Sequence, residues 1–226
     1  MNVSVVNLGC KVNRVESDTI AAAYLQKGST LTGVAEADLV VVNTCTVTEE
    51  AEKKTRKTIR KILRENESAP VLVTGCAAAI NPDFYTSLDK RISLIDKHEL
   101  LSEETHGVEH LEEHPLLRVG SYFPTRVGVK VQDGCNHSCS YCIVHVARGK
   151  AWSRPVHLIE QEVCELAQQG VAELVLSGID LGSYSYVDEI TDKRITLAHL
   201  ITKLFESLDA CGCSETRLRI SSIEPR

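Results

Sequence analysis

Ala-Asp-Leu-Val-Val-Val-Asn-Thr at residues 37–44, with Cys45 immediately after it, is the stretch from which the fold is read. Its near-continuous apolar run leaves no polar face, so a strand here needs cover on both sides, the condition of a helix-covered parallel sheet. The flanking segments agree. Thr48 to Asn66 reads as a charged helix whose Glu49, Glu50 and Glu52 sit where the helix dipole favours negative charge. Val3 to Gly9 reads as a buried strand, and Asn13 to Lys27 as a helix closed by Gly28. Pro70 to Gly75 is a third strand, a short helix opens at Asn81 and Pro82, and Ile92 to Asp96 is a candidate fourth strand. Apolar strands separated by helices predict an α/β domain over residues 1–97, an open parallel sheet flanked by helices.

The alternation starts again further on. Val127, Val129 and Val131 have strand period two, Pro155 to Gln169 reads as a helix stopped by Gly170, and Ala172 to Ser177 as the next strand. Thr196 to Ala210 and Arg217 to Ser222 repeat the helix and strand, so strand starts recur roughly 45 residues apart, as in consecutive units of a β/α barrel. Residues 126–226 are therefore expected to form three β/α units of a partial barrel. The sequence stops at Arg226 with no helix over the last strand, which reads as a truncated barrel. Between the two regions, 98–125 is acidic, carries His98, His106, His110 and His114, and lacks an apolar period. It is expected to be a solvated connector, since its histidines form no repeated i, i+4 pair on an apolar helix.

At 226 residues and 43% apolar content the chain can bury a substantial core. No stretch approaches the length of a bilayer span and no basic segment precedes an apolar run at the start, so a soluble cytoplasmic protein is expected, with no membrane partner. A net charge of -6 excludes a chain that coats nucleic acid over its whole surface, while leaving room for a local basic face.

Nine cysteines is an odd count, so complete intramolecular disulfide pairing is impossible, and metal or redox chemistry becomes the first question. Cys135, Cys139 and Cys142 fall within eight residues in a polar loop after a strand. Three close ligands leave one coordination position open. Zinc is the bland alternative, with His137 or His145 closing the set. A second trio is spread along the chain: Cys10, Cys45 and Cys76 each follow a predicted parallel strand and precede a helix, and ligands of open α/β sheets gather beyond such strand ends. The plain alternative is three buried apolar thiols. Cys164 lies off the apolar face set by Leu158, Ile159, Val163 and Leu166, and Cys211 and Cys213 lie in a Gly-containing turn; all three read as bystanders.

The C-x3-C-x2-C spacing of Cys135, Cys139 and Cys142 resembles the radical S-adenosylmethionine (radical SAM) superfamily. That resemblance implies a 4Fe-4S cluster on these cysteines, with the open iron binding S-adenosylmethionine and reductive cleavage giving a 5'-deoxyadenosyl radical. Leu8-Gly-Cys-Lys-Val-Asn13, Val42-Asn-Thr-Cys-Thr-Val47, Val73-Thr-Gly-Cys76, Gln132-Asp-Gly-Cys135, Ala147-Arg-Gly149 and Ser153-Arg154 together resemble the methylthiotransferase family. The resemblance implies an N-terminal domain with a second 4Fe-4S cluster on Cys10, Cys45 and Cys76, then a radical SAM barrel and usually a C-terminal RNA-binding domain. It implies that sulfur enters an unactivated C-H bond already methylated, and that an electron donor such as flavodoxin or ferredoxin is needed. Expected S-adenosylmethionine contacts are Tyr141, Gly178, Asp180 and Glu224.

Family substrates are tRNA carrying threonylcarbamoyladenosine, tRNA carrying isopentenyladenosine, and a ribosomal protein aspartate. Ser177-Gly-Ile-Asp-Leu-Gly-Ser-Tyr184 most resembles the first branch. Lys53, Lys54, Arg56, Lys57, Arg60, Lys61 and Arg64 predict a basic helix face suited to RNA, although a merely solvated face has the same composition. A non-catalytic iron-sulfur scaffold and a zinc-stabilised RNA-binding module remain as competitors. The first would bind clusters without cleaving S-adenosylmethionine; the second would be colourless and contain zinc.

Overall fold

The computed structural model describes residues 1–45, 48–96, 126–188, 192–221 and 223. The connector expected over 98–125 and the candidate contact Glu224 lie outside the described residues. Two compact units are present: one takes in residues 1–111 with Cys139–Ala147, the other 112–138 with Arg148–Arg226. Among the described residues, no helix is long and apolar enough to cross a membrane.

In the first unit, β1 (Asn2–Asn7), β2 (Thr30–Leu31), β3 (Leu39–Thr44), β4 (Val71–Gly75) and β5 (Ile92–Leu94) form one parallel sheet in the order β2-β1-β3-β4-β5. Register runs Val5 to Val41 across β1 and β3, and Val42 to Val73 across β3 and β4. The apolar run of β3 is explained by its two covered faces. Val41 packs with Val3, Ile20 and Tyr24 on the side of α1 (Lys11–Gln26), whereas Val40 and Val42 pack with Ile59 and Ile62 of α2 (Glu49–Glu65) on the other. The same second face receives Ala77 and Ala78 of α3 (Cys76–Ile80) and Tyr85 of α4 (Pro82–Thr86).

Thr48 caps α2, its hydroxyl accepting from Ala51 N at 3.1 Å, and three glutamates occupy the first turn. Thr48→Ala should lower stability by about 1 kcal/mol, read as a shift in the urea midpoint at unchanged slope.

The first strand ends earlier than its apolar pattern predicts. Asn7 turns the chain by accepting from Gly9 N at 3.1 Å, and α1 then starts at Lys11 rather than Asn13, with Cys10 as its N-cap residue. The edge strand β2 is also new, two residues too short to carry a readable alternation.

The second unit is built on β6 (Arg126–Lys130), β9 (Glu173–Ser177) and β12 (Arg217–Ile220), parallel in the order β12-β9-β6. Two helices, α6 (Val156–Gln168) and α7 (Leu197–Ala210), bring Ile159, Val163, Leu200 and Leu204 to one core with Val129, Leu174 and Leu176. Consecutive parallel strands that are neighbours in the sheet are the repeat expected of β/α barrel units. Short antiparallel pairs decorate it: β7 (Gln132–Asp133) with β8 (Trp152–Ser153), and β10 (Ser185–Val187) with β11 (Arg194–Thr196). A short helix, α5 (Val144–Arg148), lies between β7 and β8 in sequence.

Candidate functional site

The carboxyl ends of β1, β3 and β4 are adjacent, and each leads to one cysteine of the spread trio. Cys10 caps α1, Cys45 follows Thr44 directly, and Cys76 opens α3. In the order β2-β1-β3-β4-β5 the chain leaves β1 for β2 on one side and then crosses to β3 on the other, and ligands of open α/β sheets bind in the crevice at such a switch point. Cys10 and Cys45 flank that crevice. Cys45 and Cys76 are buried and Cys10 is exposed, so a group bound there would have one accessible side.

A buried polar network supports these strand ends. Asn13 Nδ2 donates to Asn43 Oδ1 (2.9 Å) and Thr44 O (3.0 Å), while Asn43 Nδ2 returns bonds to Asn13 O (3.0 Å) and Ser17 Oγ (3.2 Å). Thr44 donates to Thr74 O at 2.6 Å and accepts from Ala78 N at 3.2 Å. Cys10 Sγ lies 3.1 Å from Asn13 Oδ1, and Thr55 Oγ1 reaches Cys45 O at 3.4 Å. Buried amides are costly unless fully bonded, so this arrangement fixes where the three thiols start. Thr74 Oγ1 is buried without a hydrogen-bond partner two residues before Cys76. An orphaned buried hydroxyl on the strand that leads to a buried thiol is the kind of site an inorganic cluster completes, so the residues fit such a group. The sequence shows Asn13 and Asn43 only as members of longer motifs, because their burial depends on packing between helix and sheet.

In the second unit, Cys135 follows β7 and its N–H donates to Gly149 O at 3.2 Å. His137 N lies 3.4 Å from Cys135 Sγ, a backbone donor aimed at the sulfur. Gln132 is fully enclosed and joins two loops. Its Nε2 donates to Asp133 O (2.9 Å) and Gly134 O (2.8 Å), and its Oε1 accepts from Ile179 N (2.9 Å) and Asp180 N (2.8 Å). The loop leading to Cys135 is thereby tied to the loop after β9. Gly178 serves that tie, because a Cβ there would stand 2.9 Å from Gln132 Oε1 and 2.8 Å from Leu181 Cδ2.

Asp180, an expected cofactor contact, lies against His137, its Oδ2 3.3 Å from Nε2. Cys135, His137 and Asp180 have ligand atoms all within 4.8 Å of one another. Such spacing suits a single ion; thiolates round a four-iron cluster each bind a different iron and stand farther apart. In the sequence His137 reads as a zinc ligand alone, because the loop that brings Asp180 to it lies some forty residues further on, roughly one β/α unit.

Cys139 and Cys142 sit in the segment grouped with the first unit, joined by a turn bond from Cys142 N to Cys139 O at 3.0 Å. Tyr141 between them is 88% exposed. Behind Cys135, Asp133 is buried with Arg148, whose Nη1 lies 2.9 Å from Oδ1, and Lys130 Nζ is 3.2 Å from Oδ2. Arg154 is buried against Glu162, and its carbonyl accepts the Tyr184 hydroxyl at 2.8 Å. Burial pushes the Tyr184 phenol upward, ahead of the field of Tyr186, so it is a fixed donor to that carbonyl.

A parallel strand leading to a C-x3-C-x2-C loop, bound by Gln132 to the loop of the next strand, defines a radical SAM protein. Residues 129–226 match the model of the radical SAM superfamily, and residues 2–96 match that of the uncharacterized protein family UPF0004. The threonylcarbamoyladenosine tRNA methylthiotransferase MtaB of Chlamydia pneumoniae is 35% identical over 97% of this chain and 50% of its own length. Its namesake in Thermotoga maritima is 31% identical over 98% of this chain and 51% of its own. Among solved structures, the radical S-adenosylmethionine methyltransferase TsrM from Kitasatospora setae superposes with a TM-score of 0.58 at 16% identity, covering 97% of this chain and 55% of that one. The chain belongs to the radical SAM methylthiotransferase family. It spans about half the length of the curated relatives it matches.

Proposed function

We propose that this chain carries the cofactor-binding machinery of an enzyme that adds a methylthio group to threonylcarbamoyladenosine in tRNA. The observation that carries the reading is the placement of Cys10, Cys45 and Cys76 at the carboxyl ends of three adjacent parallel strands, in a chain that also carries a separate C-x3-C-x2-C loop. Cys135, Cys139 and Cys142 would hold one 4Fe-4S cluster with S-adenosylmethionine, and the strand-end trio the other. Bound there, these groups supply the radical that activates a C-H bond and the sulfur that replaces the hydrogen. The names of the two relatives reported above support threonylcarbamoyladenosine as the substrate.

The chain's own residues have separable tasks. Gln132 keeps the Cys135 loop and the Asp180 loop in fixed register, so a ligand held by both would find them preorganised. Asp180 would orient a cofactor amine or hydroxyl, with His137 holding its carboxylate. On α2, Lys53, Arg56 and Lys61 pair with Glu49, Glu52 and Glu65, whereas Lys54, Lys57, Arg60 and Arg64 are exposed without a carboxylate partner among the described residues. Those four suit phosphate contacts of an RNA partner. Electrons would come from a flavodoxin or ferredoxin.

One observation favours a second reading. The mutual approach of Cys135, His137 and Asp180 suits a mononuclear zinc-type ion in place of a cluster.

Anaerobic reconstitution of the full-length protein, with metal analysis, separates the two. The cluster reading expects about eight irons per chain by the ligand chemistry of two cubanes and falling to about four in Cys135→Ala or Cys45→Ala. Cys135→Ala should abolish 5'-deoxyadenosine, while Cys45→Ala retains some of it and forms no methylthio nucleoside. Stoichiometric zinc with no iron, lost in His137→Ala, would establish the second reading and end the first.

A further inference from the structure

We infer that Cys164, Cys211 and Cys213 form a redox-responsive thiol site, in which Cys164 and Cys211 join as a disulfide on reaction with a low-molecular-weight disulfide of the oxidised-glutathione class. None of the three belongs to either cluster trio. Sequence position gives no hint of the site, because Cys164 lies on α6 and the other two follow α7.

Packing of the two helices brings them to one turn. Cys164 Sγ lies 3.3 Å from Ser207 O, the same carbonyl that receives Cys211 N at 3.0 Å. Cys211 Sγ is 3.4 Å from Leu208 O, which in turn accepts Cys213 N at 2.8 Å. Cys211 is the shared neighbour: its N–H and the Cys164 thiol meet at one carbonyl, and Cys213 Sγ lies 3.6 Å from Cys211 O. All three are half-buried, so a small oxidant can reach them.

The chemistry balances in two exchanges. One protein thiolate attacks the small disulfide, forming a mixed disulfide and releasing one small thiolate. The second protein thiolate attacks the protein sulfur of that mixed disulfide, closing the Cys164–Cys211 bond and releasing the other. The two protein thiols are oxidised, the small disulfide is reduced to two thiols, and the two protein protons pass to the leaving thiolates. Cys211 with Cys213 is the inferior pair. Closing so small a ring would distort the turn held by the Ser207 and Leu208 carbonyls, whereas Cys164 approaches from another helix and leaves that turn intact.

Burial, and then the hydrogen bond and charge of Cys211, push the Cys164 thiol up to about 12; burial also raises Cys213. The groups facing Cys164 are Cys211 and Cys213 from the turn and Glu160 from its own helix, whose carboxylate accepts Ser207 Oγ at 3.2 Å. Every one of them opposes a thiolate at Cys164. Closure needs the Cys164 thiolate at one of its two exchanges, so its rate should climb about tenfold per pH unit in step with the thiolate fraction.

The test treats the full chain with oxidised glutathione at several alkaline pH values, traps free thiols by alkylation and maps peptides by mass. A Cys164–Cys211 linked pair, two hydrogens lighter than its reduced peptides, is expected, with the stated pH dependence. It should vanish in Cys164→Ser and persist in Cys213→Ser. Recovery of all three as alkylated thiols, glutathione adducts that never resolve, or a Cys211–Cys213 link as the sole product would each overturn the proposal.

Discussion

Arg148→Ala should destabilise the second unit by about 3–5 kcal/mol, the usual result of removing one member of a buried ion pair. Asp133 is inaccessible to solvent, and Arg148 supplies its 2.9 Å partner from a side chain that is itself buried. Alanine would leave a carboxylate in a low-dielectric interior with Lys130 at 3.2 Å and Gly134 N at 2.8 Å among its remaining partners. Those bonds offset part of the desolvation, so the loss should fall toward the lower end of the range. The pair has a second role. Asp133 Oδ1 accepts both from Arg148 and from the amide of Gly134, the residue before Cys135, so its position sets the start of the ligand loop. Iron binding by Cys135 should weaken together with stability. The double variant Asp133→Asn, Arg148→Met separates the two effects: removing both charges should restore stability relative to Arg148→Ala and leave iron retention impaired. A denaturant midpoint for Arg148→Ala within about 0.5 kcal/mol of the parent would show that the pair is not isolated from water.

What the amino-acid pattern discloses follows from what buries it. Leu39 to Val42 and Val71 to Val73 are apolar on consecutive positions because both faces of β3 and β4 are covered, so strands, order of elements and the ends bearing Cys45 and Cys76 are readable directly. Boundaries are less so: the Asn7 side chain, rather than loss of apolar character, ends β1, which places Cys10 at a helix cap beyond the strand. The polar supports are hidden for a different reason. Gln132, Asn13 and Asn43 resemble ordinary loop or cap residues until tertiary contacts enclose them, and no periodicity signals a buried amide bonded to a chain segment far along the sequence. Cys164 is the extreme case. On its own helix it is off the apolar stripe, and only the crossing of α6 and α7 gives it a thiol neighbour.

Gly75→Ala should lower the stability of the first unit by about 2–5 kcal/mol, combining left-handed strain with overlap against backbone. Gly75 has φ of +92°, which an L side chain rarely adopts. A Cβ there would lie 2.5 Å from Thr44 O, 2.8 Å from Thr44 N and 2.5 Å from Asn43 Oδ1. The first two are main-chain atoms of the neighbouring strand β3 and cannot rotate away. Relief requires either sliding β4 along β3 or displacing Asn43, and both reach the candidate ligands. Sliding moves Cys76, the residue after Gly75; displacing Asn43 breaks its bonds with Asn13, whose Oδ1 lies beside Cys10 Sγ. The substitution should therefore reduce iron held by the Cys10, Cys45 and Cys76 trio by more than stability alone would. Measured under conditions where the variant remains folded, iron should drop by about half of the parent's content if each trio binds an equal cluster. 5'-deoxyadenosine formation, which depends on the other trio, should survive. Parental iron content in folded Gly75→Ala would show that these strand ends tolerate movement and that the cysteines after β1, β3 and β4 do not share one rigid ligand set.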